Sequence, residues 1–296
     1  MNQEDLYIII PTTRGEKAFR TITSALNQKG FKNLIVLIVG ESSCDQLFIN
    51  KCENRFGSRV NILPSLAKKK ILPGEARNIG IEYAVKHGDL WDYILFIDDD
   101  INLPSNYAIT LKKFISNSRM VAAMGRVSSY PVSIWSRIID YSNFWWLQSH
   151  KDCINRGWLG AGASLIKIGD VSNVRFLSDI AVNEDTDFFA KVSVATGKTL
   201  GVCSSVVCKH CHDRGSLAGL IKYQFFNGYN GANYRYHGRR VLLQSLHRWQ
   251  NYSSAAIIEN KEYLRAHIIE IFGVIFSFFI MECGALCATY RIKVKK

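Results

Sequence analysis

The sequence lacks the features that identify several classes of protein. It contains no low-complexity tract and no repeat of fixed period, which argues against solenoids and propellers. It also lacks cysteine and histidine pairs at zinc-finger spacing and the aromatic pattern of an RNA-recognition sheet, so we expect no nucleic-acid partner. Residues 1–5 do not resemble the apolar core of a signal peptide. Together with eight scattered cysteines, this predicts reduced thiols in the cytosol.

The composition of the chain is that of a globular protein with a sizeable core. The sequence has 296 residues, of which 48% are hydrophobic and 21% are charged. Its formal net charge of +12 indicates an anionic partner, such as a phosphorylated substrate or an anionic lipid surface. Residues 208–212 contain four soft metal ligands, but no second ligand pair follows nearby, so we do not expect a structural zinc there.

Hydrophobic patterning predicts strands that alternate with helices. Short apolar runs indicate buried strands at 6–10, 34–39, 59–63 and 93–97. Amphipathic spacing and start signals indicate helices near 16–28, 73–86 and 104–116. This alternation is typical of an α/β fold with a mostly parallel sheet and helices on both faces. Ligands bind beyond the carboxyl ends of the strands in such sheets, where loops 11–14, 40–45 and 98–104 would gather.

The middle of the chain is less regular. Apolar runs indicate further strands at 120–124, 163–168 and 200–207. The loop at 160–162 contains two glycines and can pass close to a ligand. We expect the aromatic run at 144–146 to lie in the core, with stacking against a sugar as the alternative.

The strongest chemical signal is the run Asp98-Asp99-Asp100, which directly follows the predicted strand at 93–97. Three adjacent carboxylates repel one another unless a cation neutralises them. Mg²⁺ or Mn²⁺ prefers one or two protein carboxylates, with phosphate oxygens and water completing its shell. The alternative is a solvated loop in which one aspartate caps the next helix.

Three weaker signals accompany the aspartates. Arg77 stands in the first turns of a predicted helix, where it could approach a diphosphate or lie on the surface. Glu184 and Asp185 precede an apolar helix and could supply a general base or form an acidic helix start. His210 and His212 could complete a metal shell or be structural.

Taken together, these motifs resemble those of the family 2 glycosyltransferases, which have the GT-A fold, over about residues 7–231. The segments that carry the resemblance are the opening strand and donor loop at 8–12, the segment 39–45, the helix start at 76–80, the acidic run at 98–100, the Glu184-Asp185 pair, the histidines with Gly215-Ser216, and Gln224 with Gly228. One departure is clear, because Gly40-Glu41 replaces the family's two aspartates, the second of which contacts the nucleotide base.

The resemblance implies a role for each matching residue. The donor would be bound by Pro11, Thr12, Glu41, Arg77, Asp98 and Asp99. Mg²⁺ or Mn²⁺ would be held by Asp100 and Asp99, with His210 or His212 nearby. Asp185, beside Glu184, would remove a proton from the acceptor hydroxyl, and a single displacement at the anomeric carbon would invert its stereochemistry. The expected partners are therefore a nucleotide sugar and a glycan or lipid-linked acceptor, in cell-surface polysaccharide or glycoconjugate synthesis.

The C-terminal part is expected to associate with a membrane. Residues 271–290 are apolar except for Glu282, and about 20 residues suffice to cross a bilayer. A single span would separate the basic tail at 291–296 from the catalytic domain, although both are expected in the cytoplasm. We therefore favour helices in or re-entering the interface, with a spanning helix, a core helix and a dimer contact as alternatives. The chain would then comprise a GT-A catalytic domain at 1–230 and a helical region at 231–296 on the cytoplasmic face of the membrane.

Two other functions remain open at this point. A sugar nucleotidyltransferase would also use a metal and an α/β sheet, but it usually has a glycine-rich basic loop after the first strand, and residues 11–15 match that loop poorly. A membrane-bound scaffold that has lost catalysis would be compatible with the altered residues Gly40 and Glu41. The intact Asp98-Asp99-Asp100 and Glu184-Asp185 motifs favour an active enzyme.

Overall fold

The structure, a computed structural model, describes residues 4–40, 45–63, 71–148, 150–156, 159–212, 214–235 and 268–294. The chain divides into two compact units. The first comprises residues 1–126 and 151–209, and the second comprises residues 127–150 and 210–296. Glu41 and the basic segment around Arg239, Arg240 and Arg248 lie outside the described residues, so the predictions made for them stay predictions.

The first unit begins with a parallel β-sheet. Its strands run in the order β3-β2-β1-β4, and Ile9 of β1 lies beside Leu37 of β2 and Phe96 of β4. All five residues of β4 are buried, which requires cover on both faces of the sheet. The four strands were all predicted from their apolar runs: β1 (Leu6–Pro11), β2 (Leu34–Val39), β3 (Val60–Leu63) and β4 (Tyr93–Ile97).

Five more strands extend the sheet: β5 (Ile101–Asn102), β6 (Ala122–Tyr130), β7 (Cys153–Arg156), β8 (Ala163–Lys167) and β9 (Leu200–Cys211). The order continues from β4 through β8, β6 and β9 to β5, and β7 pairs with β9. Strand β8 is antiparallel to both β4 and β6. The α/β class is therefore confirmed, and the sheet is mixed, with parallel pairing among the first four strands.

Eight α-helices occur in the described part of the chain: α1 (Phe19–Leu26), α2 (Gln46–Phe56), α3 (Pro73–His87), α4 (Tyr107–Ser118), α5 (Ile134–Asn143), α6 (Glu184–Thr196), α7 (Leu217–Arg235) and α8 (Ile268–Val294). Helix α3 packs closely on the sheet, because a Cβ at Gly80 would lie only 2.6 Å from the Ile9 side chain. Pro73 occupies its first turn, where no backbone N–H is needed. This packing brings Arg77 towards the carboxyl ends of the strands.

The second unit contains α5, α7 and α8. Tyr141 of α5 packs in a buried cluster with Val274, Phe278 and Met281 of α8. Trp146, which follows α5, is also buried, as expected for the aromatic run at 144–146. Helix α7 continues through the predicted domain boundary at residues 230 and 231, and the division itself stays a prediction.

Helices α7 and α8 approach each other through glycines. A Cβ at Gly228 would fall 1.6 Å from the Met281 carbonyl oxygen, and one at Gly284 would fall 2.1 Å from the Phe225 carbonyl oxygen. Gln224 contacts Ser277, and Gly228, one turn later, lies against Met281, one turn beyond Ser277. The two helices therefore run in the same direction at backbone-to-backbone distance.

Helix α8 contains a candidate membrane span. Residues Ile269–Ala288 form a stretch of 20 residues with a mean hydropathy of 2.1, which is enough to cross a bilayer by length and composition. Within this stretch, 44% of the most apolar window is buried inside the protein. A buried core helix passes the same test, so this property alone does not identify a membrane protein.

Candidate functional site

The candidate site lies in the first unit, at the carboxyl ends of β1 and β4. These strands are parallel neighbours, so the loop after Pro11 and the loop after Ile97 emerge at the same edge of the sheet. The first loop carries Thr12, Thr13 and Arg14, and the second carries Asp98, Asp99 and Asp100. Two of the three loops that the sequence predicts to gather here therefore do so.

The loop after β1 surrounds the Asp99 carboxylate. Its oxygen Oδ2 accepts hydrogen bonds from the Thr12 hydroxyl at 3.2 Å, the Thr13 amide at 3.0 Å and the Arg14 amide at 3.3 Å. The Arg14 guanidinium lies 3.5 Å from Asp99 Oδ1 and 3.1 Å from Asp100 Oδ2. Burial raises the pKa of Asp99. Repulsion from Asp100 and Asp98 raises it further, whereas the Thr13 amide and the Arg14 charge lower it.

Arg77 connects Asp98 with Glu184. The Arg77 guanidinium is buried and donates to Asp98 Oδ1 at 2.6 Å and to Glu184 Oε1 at 2.7 Å. Burial alone would lower the pKa of Arg77, but the charges of Asp98, Glu184 and Asp185 outweigh it and raise the pKa. Arg77 therefore stays charged and ties the end of β4 to the start of α6.

The two acids at the start of α6 have raised pKa values. Burial, followed by repulsion from Asp185, raises the pKa of Glu184 to about 7, although Arg77 opposes the shift. Burial also raises the pKa of Asp185, against the attraction of Arg77 and hydrogen bonds from two backbone amides. As a whole residue Asp185 is partly exposed, whereas Glu184 is buried. The carboxylate of Asp185 is itself enclosed, since burial is the largest cause of its raised pKa.

The loop at 160–162 completes this part of the site, as its two glycines suggest. The Ala161 amide donates to Asp185 Oδ2 at 3.2 Å, and the Thr186 amide donates to Asp185 Oδ1 at 2.7 Å. A Cβ at Gly162 would lie 3.1 Å from Asp98 Oδ2, so only glycine leaves that oxygen uncrowded. Two backbone amides therefore fix the orientation of the Asp185 carboxylate.

Asp99 and Asp100 have the chemistry that a divalent cation needs, since they are adjacent carboxylates whose repulsion raises a pKa. They share one guanidinium, that of Arg14, in the structure. Within the described ranges, no group of three or more histidine, cysteine, aspartate or glutamate side chains is arranged to hold a metal ion.

His210 and His212 lie in the second unit. His212 Nε2 is 2.8 Å from the Ser129 hydroxyl, and its Nδ1 accepts from the Arg214 amide at 3.1 Å. The second contact makes Nδ1 an acceptor, so Nε2 carries the proton and donates to Ser129. Ser129 in turn donates to Asp140 at 2.5 Å. Both nitrogens of His212 are engaged in this buried network, and the metal-binding roles of the two histidines stay predictions.

Two interactions were not predicted from the sequence, one in the candidate site and one in the second unit. Arg14 was not assigned a role, although it contacts both Asp99 and Asp100; its position depends on the pairing of β1 with β4, which no local pattern reveals. The Ser129–Asp140–His212 network joins residues up to 83 positions apart. Pro11 ends β1 beside Val39, where a donor could reach it, and its predicted role is not tested by any contact.

The strand order and register define the class of the protein, which is α/β. No family model and no curated protein matches the chain. Among solved structures it is similar to Staphylococcus aureus TarS, with 13% identity and a TM-score of 0.48 over 88% of this chain and 44% of that one. The chain thus spans less than half of that TarS structure.

Two structures of TarS residues 1–349 are similar to the same degree. One has 12% identity and a TM-score of 0.49, covering 94% of this chain and 90% of that chain. The other is a complex with UDP-GlcNAc, with 13% identity and a TM-score of 0.49, covering 89% of this chain and 74% of that chain. At these values the fold class rests on the topology of the chain itself.

Proposed function

We propose that the chain is an inverting glycosyltransferase of the GT-A type that transfers a sugar from a nucleotide-sugar donor. The observation that carries the proposal is the Arg77 bridge between Asp98 and Glu184, which lies next to Asp185 at the ends of parallel strands. It lies between an acidic donor side at residues 98–100 and the Asp185 carboxylate, whose pKa is raised. A donor site and a base side by side are what sugar transfer requires.

The donor side suits a nucleoside diphosphate with a divalent cation. Asp100 and Asp99 would hold Mg²⁺ or Mn²⁺, which when bound offsets the charge that develops on the departing diphosphate. Thr12 and the neighbouring amides hold Asp99 in place, and Arg14 supplies a guanidinium within reach of a phosphate. Asp98, held by Arg77, would contact the nucleoside, and Pro11 and Glu41 would line the same end of the sheet.

The acceptor side depends on Asp185. Its carboxylate takes the proton from the acceptor hydroxyl, and the oxygen attacks the anomeric carbon. The bond from that carbon to the diphosphate breaks, and the electron pair leaves on the diphosphate oxygen. The raised pKa of Asp185 strengthens it as a base, and the Ala161 and Thr186 amides aim it. The neighbouring Glu184 positions Arg77 rather than contacting the acceptor.

We further propose that the acceptor is a glycan or a lipid-linked glycan and that the enzyme works at the cytoplasmic face of the membrane. Nucleotide sugars occur in the cytoplasm, and the net charge of +12 favours phosphorylated or anionic partners. An acceptor in the membrane would also explain why the chain carries the long apolar helix α8. The place in metabolism would be cell-surface polysaccharide or glycoconjugate synthesis.

A sugar nucleotidyltransferase fits the site less well. It needs a loop after the first strand whose amides hold a triphosphate, but here the Thr13 and Arg14 amides and the Thr12 hydroxyl are directed at Asp99. An inactive scaffold would have no use for a base oriented by two amides beside a buried arginine.

The test is calorimetric binding of a panel of UDP-, GDP- and dTDP-sugars, including UDP-GlcNAc, to the purified full chain with and without Mn²⁺. We expect one donor to bind, with affinity that falls at least tenfold without Mn²⁺ and in Asp100→Asn. The control is Asp170→Asn, which removes a carboxylate from an exposed pair with Lys198 and should bind as the wild type does. If the folded protein binds no donor, with or without Mn²⁺, the proposal is wrong. Pyrophosphate release from a nucleoside triphosphate and a sugar phosphate would instead indicate a nucleotidyltransferase.

A further inference from the structure

The outward face of helix α8 is unusually apolar. Its exposed side chains follow a stripe spaced by three or four residues, and Phe272 is 67% exposed. A stripe with this spacing occupies one side of a helix. Its members at this spacing are Ile269, Phe272, Phe276 and Phe279, and the exposed Tyr290 lies eleven residues, about three turns, further along the same side.

The inward face of the same helix carries the polar residues. Glu270 is 2% exposed, Ser277 is fully buried and Glu282 is also buried. Glu270 pairs with Arg137 of α5 at 2.6 Å. A helix at the surface of a water-soluble protein has the opposite arrangement, with apolar residues inside and charges outside. Val274, Phe278 and Met281 are buried as well, so α8 is apolar on both faces and its charged side chains lie inside, which we call inverted polarity.

Helix α7 also buries a polar side chain and exposes apolar ones, with Lys222 as the charged residue among them. Gln224 is 1% exposed and donates to Ser142 of α5 at 3.0 Å and to Ser277 of α8. Its outward face carries four exposed apolar side chains, of which Phe226 is 60% exposed: Leu217, Ile221, Phe225 and Phe226. A buried polar network thus joins three helices, while aromatic rings cover the outside of two of them.

We propose that the outward faces of α7 and α8 bind one leaflet of a lipid bilayer, so that both helices lie in the membrane interface without crossing it. Inverted polarity is stable where the surroundings are apolar and polar groups must be satisfied internally. The formal net charge of +12 suits an anionic lipid surface. The proposed surface shares no residue with the candidate site and extends the membrane contact to α7, which the sequence pattern alone had not suggested.

The contacts of α8 favour a seated helix over a spanning one. One side of it is covered by α5, where a Cβ at Gly273 would lie 2.3 Å from Ile138, and by α7 at Gly228 and Gly284. Only the remaining side is free to touch lipid. A lone spanning helix would need apolar side chains all round, whereas α8 keeps Glu270 and Glu282 among its protein neighbours.

The experiment is flotation of the purified full chain with vesicles of phosphatidylcholine containing one third phosphatidylglycerol. Two variants each remove part of the surface: the triple variant Phe272→Ser, Phe276→Ser, Phe279→Ser on α8 and the double variant Phe225→Ser, Phe226→Ser on α7. The control variant, Leu47→Ser, Leu90→Ser, Val194→Ser, removes three equally exposed apolar side chains from the first unit. Circular dichroism melting confirms that each variant is folded.

We expect the partition coefficient of both surface variants to fall by a factor on the order of ten for each phenylalanine removed, while the control floats as the wild type does. Unchanged flotation of both variants would overturn the proposal. So would a wild-type dimer that the α8 variant converts to monomer without loss of flotation, since the face would then bind a second copy. Protease protection of a C-terminal tag inside sealed vesicles would show a spanning helix and overturn the seated arrangement. Donor binding is measured separately and does not depend on this outcome.

Discussion

The guanidinium of Arg77 lies 2.7 Å from the carboxylate of Glu184, a residue 107 positions further along the chain, and both side chains are buried. Arg77→Met removes the positive charge to which both the Glu184 and the Asp98 carboxylates are bonded. Breaking a buried pair leaves an uncompensated charge, so we expect the free energy of unfolding to fall by about 3–5 kcal/mol. Denaturant unfolding monitored by fluorescence measures this change.

Lys51→Met is the matched control for Arg77→Met, because it breaks an exposed ion pair with Glu16 in the same unit. Solvent screens such a pair, so the loss should be about 1 kcal/mol or less. Equal losses in the two variants would mean that the Arg77 bridge contributes nothing beyond a surface pair.

The role of Asp185 as a base predicts a split between binding and turnover. Asp185→Asn should lower kcat by a factor on the order of 10² to 10⁴, with the donor Kd unchanged. Because the pKa of Asp185 is raised, wild-type activity should fall on the acid side as that carboxylate becomes protonated, and the residual activity of the variant should lack this limb.

Asp187→Asn tests whether the loss is specific to Asp185. Asp187 lies in the same first turn of α6 but pairs with Lys191 of that helix at 2.5 Å. The Asp187→Asn variant should have an activity within about threefold of the wild type and the same pH profile. An equal loss in both variants would assign the effect to the acidic helix start rather than to a base.

Gly40 has a backbone conformation that favours glycine, and it also lies too close to Thr12 for a side chain. It has φ +136° and a Cβ there would lie 2.6 Å from the Thr12 carbonyl oxygen. Gly40→Ala should therefore destabilise the chain by about 1–3 kcal/mol and weaken donor binding by displacing Thr12. Gly57→Ala, at φ +59° with open space around it, carries only the conformational cost, about 1 kcal/mol, and should leave donor binding intact. Thermal melts and donor titrations separate the two effects.

Asp140 in the second unit predicts a pH dependence of stability. Burial raises its pKa from 3.8 to about 6, against the Ser129 hydrogen bonds and the charge of His210. A carboxyl with a higher pKa in the folded chain binds more protons when folded, so stability falls as the pH rises from about 4 to about 6. The full shift corresponds to ~3 kcal/mol.

Asp140→Asn cannot titrate, so its melting temperature should decline less between pH 4 and pH 7 than that of the wild type. Glu184 and the other buried carboxyls affect both proteins alike. Asp152→Asn, at an exposed position, should follow the wild-type profile. Parallel pH profiles for wild type and Asp140→Asn would contradict the assignment.

The sequence predicted the elements whose signal is local. The strand at 93–97 and the helix that begins at Pro73 were found because apolar runs and start signals need no tertiary context. Helix α2 was missed, since its start at Gln46 has no strong apolar period. The short strand β5 was also missed, because two residues form no pattern.

The partners within the site could not be predicted in the same way. Nothing near Arg77 in the sequence indicates that Glu184 will lie beside it, because that contact follows from the packing of α3 and α6 on one sheet. The apolar length of α8 is visible in the sequence, but burial was needed to show which of its residues are exposed, and the membrane association stays a prediction. Inverted polarity is invisible in a sequence until one knows what each face touches.

The Arg77 bridge has a thermodynamic consequence for recognition. Because one guanidinium holds both Asp98 and Glu184, donor binding need not order the end of β4 or the start of α6. Less conformational entropy is then lost on association, and more of the contact energy remains as affinity. Donor binding at this part of the site should therefore release water more than it freezes the chain, which a favourable binding entropy would register.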